Sequence, residues 1–209
     1  MMFRDRNDAA RRLAEALEQY RGQNPLVLAI PRGAVPMARI IADELGGDLD
    51  VVLVRKLRAP GNPEFALGSV DETGWTYLGE YAAREGGNAQ YLEAEKEHQL
   101  EVMRERRASY TPIRPPLDPA GRTVIVVDDG LATGSTMIAA LHALRARSPK
   151  KLICAVPVAP PDTLEKVESY ADEVVCLSAP AMFYAVGQFY QSFPQVSDGE
   201  VIALLRAHS

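Results

Sequence analysis

The chain has 209 residues, of which 47% are hydrophobic and 24% are charged, a composition typical of a globular protein with one sizeable core. Its net charge of -5 disfavours generic binding to nucleic acid, which depends on lysine and arginine contacts to phosphate. The longest apolar runs are strand-length, far short of the roughly 18–20 residues of a membrane span, so we expect no membrane segment. The N-terminus is charged and carries no secretory signal pattern, which favours a cytoplasmic protein.

The first half of the chain predicts an amphipathic helix followed by a βαβ unit. Apolar residues recur at helical spacing from residue 7 to residue 20, and residues 26–30 form an uninterrupted apolar strand. A second helix follows the turn at residues 31–34 and is expected to stop at the glycine pair 46–47. Residues 50–55 are the next apolar strand. Because neither strand alternates between apolar and polar residues, we expect a parallel sheet that is covered on both faces.

A long polar segment, residues 57–120, interrupts this pattern. Its first part is rich in glycine and proline, and residues 65–70 and 74–78 predict a hairpin. Residues 88–110 predict a helix whose apolar residues are so sparse that we expect it to be solvated or to pack on a partner chain. Residues 111–119 contain four prolines and predict a stiff connector.

The apolar pattern resumes in the second half as a βαβαβ run. Strands are predicted at residues 123–127, 152–157 and 173–177, with helices at about 134–146 and 162–170. The tail from residue 179 is rich in aromatic residues. It leads into Ser197-Asp-Gly-Glu200, a capping-box pattern that predicts a short terminal helix.

The cysteines and histidines do not indicate a catalytic or metal site. Cys154 and Cys176 fall in apolar strand-like runs and are expected to be small core residues, and neither has a partner at metal-ligand spacing. His98, His142 and His208 lie away from the predicted strand ends, so we expect each to be a surface or helix residue.

Residues 124–136 combine a buried strand, two carboxylates and a glycine-bearing turn that opens a helix. The helix N-terminus offers unpaired N–H groups and the positive end of the helix dipole, so we expect the loop to bind a phosphate monoester. The carboxylates of Asp128 and Asp129 are suited to accept hydrogen bonds from a vicinal diol, and ribose 5-phosphate satisfies both halves. An NTPase P-loop requires lysine after its last glycine, where this chain has Ser135, and the three-glycine dinucleotide pattern is absent.

The run Val-Ile-Val-Val-Asp-Asp-Gly-Leu-Ala-Thr-Gly-Ser-Thr at residues 124–136 resembles the phosphoribosylpyrophosphate (PRPP) signature of type I phosphoribosyltransferases. Residues 59–68 also resemble a segment of bacterial phosphoribosyltransferases whose substrates are unassigned. The resemblance implies that Asp128 and Asp129 hold the ribose 2- and 3-hydroxyls. It also implies a loop that wraps the 5-phosphate, made of Ala132, Thr133, Gly134, Ser135 and Thr136.

The resemblance implies two further parts of the site. The family binds pyrophosphate at a short loop after its first core strand, often through a strained or cis peptide, and Arg32 and Gly33 stand in that place. A mobile lid follows the second strand, where Arg55 is a candidate for binding pyrophosphate and Lys56 for assisting its departure. Arg58 is equally compatible with a solvated strand end.

The implied fold is α/β, a doubly wound, mainly parallel sheet flanked by helices. We expect one phosphoribosyltransferase domain over residues 1–209, with a core at about 24–56 and 121–178. A long inserted hairpin and helix segment, or lid, is expected at about 57–120, and a small hood at about 1–23 and 179–209.

The implied reaction is displacement of pyrophosphate from C1 of PRPP by a nitrogen nucleophile, with Mg2+ bridging the ribose hydroxyls and the pyrophosphate. Asp128 and Asp129 are candidate metal ligands, and Asp129 is the candidate proton acceptor, although a purely ribose-binding role fits equally. Purine, pyrimidine and amine acceptors stay open. Phe183 and Tyr184 are candidates for stacking on a base, with packing inside the hood as the alternative reading. A homodimer is expected.

Two other functions use the same ligand site. One is a PRPP-sensing regulator without transfer activity, for which Arg104, Arg106 and Arg107 on the inserted helix offer a surface for RNA or protein. The overall acidity of the chain argues against it. The other is a hydrolase of phosphoribosyl compounds, in which water is the acceptor.

Overall fold

The computed structural model describes residues 1–80, 82–86, 88–110 and 116–207, apart from the side chain of residue 64. His208 and residues 111–115 of the predicted connector lie outside this range. The strands are β1 (Leu26–Ala29), β2 (Asp48–Val51), β3 (Val54–Ala59), β4 (Asn62–Asp71), β5 (Thr76–Leu78), β6 (Thr123–Val127), β7 (Lys151–Val158) and β8 (Glu173–Ser178). The α-helices are α1 (Arg6–Ala16), α2 (Ala34–Leu45), α3 (Ala89–Tyr110), α4 (Ser135–Arg145), α5 (Pro161–Glu168) and α6 (Asp198–Ala207).

A five-stranded sheet forms the centre, in the order β2-β1-β6-β7-β8, and every pairing in it is parallel. Successive residues of its strands enter two different cores. Ile125 and Val127 pack in the core that contains the buried faces of α1 and α2, whereas Val124 and Val126 pack in the core that contains α4. The predicted α/β fold, with a mainly parallel sheet covered on both faces, is therefore confirmed.

The predicted strand at residues 50–55 is wrong in its extent. The parallel strand β2 ends at Val51, and Val54 already begins β3, which belongs to a second sheet. Val52 and Leu53, between the two strands, are both buried, so the apolar run continues across the break and hides it from a reading of the sequence.

The second sheet is antiparallel, in the order β3-β4-β5, and contains the predicted hairpin. Its turn is held by the carboxylate of Asp71, which accepts hydrogen bonds from the backbone of Thr73 at 2.8 Å and of Trp75 at 3.2 Å. The Trp75 ring stacks on His142 of α4, with ring centroids 3.6 Å apart and planes 8° from parallel. The inserted sheet is thereby packed against the helix that follows the phosphate-loop motif.

Helix α3 is not the fully solvated helix of the first expectation, because it packs on the inserted sheet of its own chain; its packing on a partner chain stays a prediction. Its buried residues are Glu95, Gln99, Met103 and Tyr110, a stripe that is half polar. The buried face therefore combines apolar packing by Met103 and Tyr110 with hydrogen bonds made by Glu95 and Gln99.

The segments that precede α1 and α6, both predicted to belong to the hood, contact each other. Phe3 and Tyr190 form a parallel bridge, and their rings lie 5.6 Å apart. The predicted capping box opens α6, where the backbone N–H of Glu200 donates to Ser197 Oγ at 3.1 Å and Ser197 N donates to Glu200 Oε1 at 3.4 Å. Of the helices that the structure describes, none combines the length and apolarity that crossing a membrane requires.

Candidate active site

The loop at residues 128–134 leaves the end of β6 and leads directly into α4. Gly134 has a left-handed φ of +80°, and a Cβ atom there would lie 2.8 Å from Cγ2 of Thr163, so both conformation and space require glycine. Thr163 of α5 also donates to the carbonyl of Ala132 at 2.7 Å. Helix α5 therefore holds the loop in a shape that exposes the N-terminus of α4.

A cavity of about 510 Å³ brings most of the predicted site together. Its lining includes the predicted phosphate-loop residues Ala132, Thr133, Gly134 and Thr136, the carboxylates Asp128 and Asp129, and the predicted pyrophosphate or lid residues Arg32, Gly33, Arg55 and Lys56. Ser135 is the member of the predicted phosphate loop that does not line it. The Ser135 side chain is buried, and its hydroxyl lies 3.0 Å from Ser69 Oγ in the inserted hairpin and borders a second cavity of about 370 Å³.

The adjacent residues Asp128 and Asp129 line the larger cavity and are half-buried. Burial raises the pKa of Asp128 well above its usual range, and the neighbouring Asp129 carboxylate raises it further, while Lys56 opposes the shift. Burial also raises the pKa of Asp129, against the opposing charge of Arg6. Two adjacent, half-buried carboxylates are thus each disfavoured in their ionised form, an arrangement that hydroxyl donors or a cation would stabilise.

Arg6 is a site residue that our reading of the sequence missed. Its side chain reaches from α1 to Asp129 Oδ2, with Nε at 3.3 Å and Nη2 at 3.2 Å, and is only 11% exposed. The guanidinium lies 4.0 Å from the centre of the Phe193 ring and donates to the carbonyl of Pro194. A charged residue in the first turn of an amphipathic helix has no local signature that separates it from a solvated one.

The turn between β1 and α2 has the cis peptide expected for it, at Pro31–Arg32. Gly33 follows, and a Cβ atom there would lie 2.7 Å from Asp129 Oδ2 and 2.9 Å from Nη2 of Arg6. The backbone at Gly33 therefore lies so close to the Asp129 carboxylate that a larger residue would displace it. Arg32 extends the other way, with Nη1 4.0 Å from Asp198 of α6.

Positive charge in the lining of the cavity comes from elements other than the phosphate loop. Of the described residues that line the cavity, the cationic ones are Arg32, Arg55, Lys56, Arg58 and Arg106. Burial lowers the pKa of Arg55, and the positive charges of Arg106, Arg58 and Arg32 lower it further. The Arg55 guanidinium is therefore surrounded by like charges that an anionic ligand would neutralise.

Comparison with known proteins places the chain in a family. The model of the phosphoribosyl transferase domain matches residues 4–193. The chain belongs to the phosphoribosyl transferase domain family. This confirms the resemblance carried by residues 124–136.

Relatives of this phosphoribosyl transferase domain include proteins from two strains of Mycobacterium tuberculosis, both named provisionally as phosphoribosyl transferases. Each is 43% identical over 209 residues, which is 99% of this chain. The chain spans 47% of their length, so about half of each relative has no counterpart here. The crystal structure of TT1426 from Thermus thermophilus is 47% identical, covers 100% of both chains and superimposes with a TM-score of 0.83.

The two predicted base-stacking residues of this phosphoribosyl transferase domain lie in different surroundings. Phe183 packs 5.2 Å from Phe189 and lines the 370 Å³ cavity, whereas Tyr184 is 79% exposed and lies outside the lining of both cavities. Val186 and Phe193 instead reach the larger cavity. The predicted stacking role thus has geometric support for Phe183 and none for Tyr184.

The histidines and cysteines that the structure describes lie away from the larger cavity. His98 is exposed on α3, and His142 is engaged with Trp75. Cys154 is buried in β7 and Cys176 half-buried in β8, and both are free thiols. Burial raises the pKa of the Cys154 thiol, as expected for an inert core residue.

Proposed function

We propose that the chain is a PRPP-dependent phosphoribosyltransferase, which transfers the 5-phosphoribosyl group to a nitrogen acceptor and releases pyrophosphate. One observation carries the proposal: among the described residues, a single cavity is lined by the loop that opens α4, by two half-buried carboxylates and by five cationic side chains. PRPP presents a group to match each of these, namely a 5-phosphate, a ribose diol and a pyrophosphate. Each part of the cavity is suited to one part of the ligand.

The roles follow from this match. Thr133, Gly134 and Thr136 would bind the 5-phosphate with N–H and hydroxyl donors, and Asp128 and Asp129 would accept hydrogen bonds from the ribose hydroxyls. The Ala132 carbonyl would fix the conformation of the loop by accepting a hydrogen bond from Thr163. Ser135 would stabilise the loop through its hydrogen bond with Ser69. In the transfer step, the bond from C1 to the acceptor nitrogen forms, the bond from C1 to the pyrophosphate oxygen breaks, and the nitrogen loses a proton.

The transfer step also requires that the departing pyrophosphate be bound and that its developing negative charge be neutralised. Arg32, the Gly33 backbone and Arg55 would bind the pyrophosphate, and Lys56 would neutralise the charge that develops on it. Positioned cations of this kind act on the transition state without forming a covalent bond to the substrate. Asp129 remains the candidate to accept the acceptor proton.

Mg2+ is implied by the family, and the residues present fit it. Asp128 and Asp129 offer hard carboxylate oxygens in a half-buried position, where a cation would offset their mutual repulsion. The structure shows no group of three or more potential ligand side chains among the residues it describes, which suits an ion bound through one or two carboxylates and the substrate phosphates. When bound, the ion would neutralise charge on the pyrophosphate.

The acceptor stays open among purines, pyrimidines and amines. Phe183, which lines the second cavity beside Ala132 and Thr133, is the hood aromatic that we retain as a candidate for base stacking. We also predict that the protein is a cytoplasmic homodimer. Sedimentation of the purified protein measures its oligomeric state.

Binding and turnover are tested in sequence. PRPP with Mg2+ should raise the melting temperature of the wild-type protein and leave the double variant Asp128→Asn, Asp129→Asn unchanged. Equal responses in the two proteins would remove the proposal. A screen of bases and amines for pyrophosphate release then separates the alternatives: release with an acceptor supports transfer, release of free ribose 5-phosphate supports hydrolysis, and binding without release supports a regulator.

A further inference from the structure

One stripe of helix α3 faces the rest of the site. It consists of Glu95, Gln99, Met103, Arg106 and Tyr110, spaced by three or four residues, so that their side chains share one face of the helix. Four of these side chains are buried, and the Arg106 side chain is 18% exposed. A buried stripe with this many polar groups requires partners for them.

The partners are two arginines of the larger cavity. Glu95 Oε1 accepts from Arg58 Nε at 2.8 Å and from Gln99 Nε2 at 2.6 Å. Gln99 Oε1 in turn accepts from Arg55 Nε at 3.0 Å. The helix thus fixes two cations of strand β3 through one continuous hydrogen-bonded chain, whose buried members would each be costly to leave unpaired.

Arg106 reaches the same cavity directly, further along the same helix. It lines the cavity together with Arg32 and is among the charges that depress the pKa of Arg55. Its acidic neighbour is Asp198 of α6, which lies 4.0 Å from Arg106 Nε and 4.0 Å from Arg32 Nη1. Asp198 is 54% exposed, so these two long contacts hold the arginines weakly.

The neighbouring arginines of α3 are engaged elsewhere. Arg104 pairs with Glu101 on the outer surface of the helix, and Arg107 pairs with Glu72 of the inserted hairpin at 2.6 Å. Arg106 alone of these three lines the cavity. The three arginines therefore do not form a common basic surface.

We infer that α3 is the third wall of the ligand site: Arg106 binds the pyrophosphate end of PRPP, and Glu95 and Gln99 are positioning residues for Arg58 and Arg55. The inference rests on the proposed function and deepens it. It assigns the insertion a part in ligand recognition that our reading of the sequence left open. The carboxylate of Asp198 is then the group that the pyrophosphate displaces from Arg32 and Arg106.

The test distinguishes binding of the pyrophosphate end of PRPP from binding of its ribose 5-phosphate end. Binding of PRPP, inorganic pyrophosphate and ribose 5-phosphate, each with Mg2+, is measured by titration calorimetry on the wild-type protein and on Arg106→Gln. We expect affinity for PRPP and pyrophosphate to fall about 10-fold or more, as for the loss of a charge-assisted hydrogen bond, with little change for ribose 5-phosphate. Arg107→Gln on the same helix is the matched control and should bind all three ligands like the wild type.

The positioning role has its own variant, Gln99→Met, which keeps the length of the side chain and removes both of its hydrogen bonds. It should weaken pyrophosphate binding while leaving ribose 5-phosphate binding unchanged, and circular dichroism checks that both variants are folded. A purely structural role for Gln99 would lower the affinity for both ligands together and would overturn the positioning claim.

The outcomes keep the inference and the proposed function apart. If wild-type protein binds none of the three ligands, the proposed function fails and takes the inference with it. If the wild type binds PRPP and Arg106→Gln binds PRPP equally well, or if Arg106→Gln loses ribose 5-phosphate to the same degree, the inference alone is wrong.

Discussion

Arg6 and Asp129 are hydrogen-bonded although 123 positions separate them, with both contacts, at 3.3 and 3.2 Å, falling on the same carboxylate oxygen. Arg6 opens the first helix, and Asp129 follows the central strand β6. The pair therefore connects helix α1 with the carboxylates of the proposed PRPP site. Phe193 and Pro194 also contact the Arg6 guanidinium.

Arg6→Gln should weaken PRPP binding about 10-fold or more, because Asp129 loses a charged donor in a buried setting. Arg6→Lys keeps the charge but not the planar fork, so it should recover part of the loss. Titration calorimetry with PRPP and Mg2+ measures both. The control is Arg12→Gln on the same helix, where Arg12 pairs with Asp8 on the outside and lies 5.5 Å from the Phe3 ring centre. Equal affinities for wild type and Arg6→Gln would show that the ion pair plays no part in binding.

Much of the fold was predictable because the central strands have a clear pattern in the sequence. β6, β7 and β8 are apolar runs bounded by turn residues, and the structure gives them within about two residues of the expected bounds. The division at Val51 and Val54 was not predictable, since no glycine or proline marks it and Val52 and Leu53 are buried as well. The packing of α3 was hidden for another reason: half of its buried side chains are polar, and hydrophobic periodicity detects apolar faces only.

The candidate site also has a part that the sequence predicts and a part that only the folded structure reveals. Residues 128–136 are consecutive, so their chemistry could be read from the sequence as one unit. Arg6, Gln99 and Arg106 reach the site from helices far away in the chain, and only tertiary packing distinguishes them from solvated residues. Ser135 shows the converse: it belongs to the motif, yet its hydroxyl supports the hairpin side of the loop.

Gly33→Ala should damage both stability and binding. The added Cβ atom would overlap Asp129 Oδ2 at 2.7 Å and Arg6 at 2.9 Å, so the ion pair must shift to admit it. We expect a loss of about 1–3 kcal/mol in the free energy of unfolding, measured with urea, together with loss of the thermal shift on PRPP addition. Gly199→Ala is the control, because the nearest atom to its added Cβ lies 3.8 Å away. A variant at Gly33 that binds PRPP normally would mean that the loop is free to move.

Asp128→Asn should make the ligand-free protein more stable and abolish PRPP binding. The half-buried carboxylate lies beside Asp129, and its removal from water together with that second charge raises its pKa, so its ionised form opposes folding at neutral pH. Removing the charge should raise the free energy of unfolding by roughly 0.5–2 kcal/mol, the range common for relieving a functional conflict. Urea unfolding in buffer with EDTA measures this. A destabilised variant would show instead that the carboxylate supports the fold, and Asp118→Asn on the exposed surface controls for nonspecific charge effects.

The stack of Trp75 on His142 provides an optical report on the inserted sheet, because Trp75 is the single tryptophan of the sequence. His142→Ala removes the ring that lies 3.6 Å from the indole, so Trp75 should become more exposed to water and its emission should shift to the red. The free energy of unfolding should fall by about 0.5–1.5 kcal/mol from the lost stacking alone. His98→Ala, on the exposed side of α3, should change neither quantity. If the emission of His142→Ala matches the wild type, the hairpin is held on α4 by other contacts, of which those between Ser69 and Ser135 are the next to test.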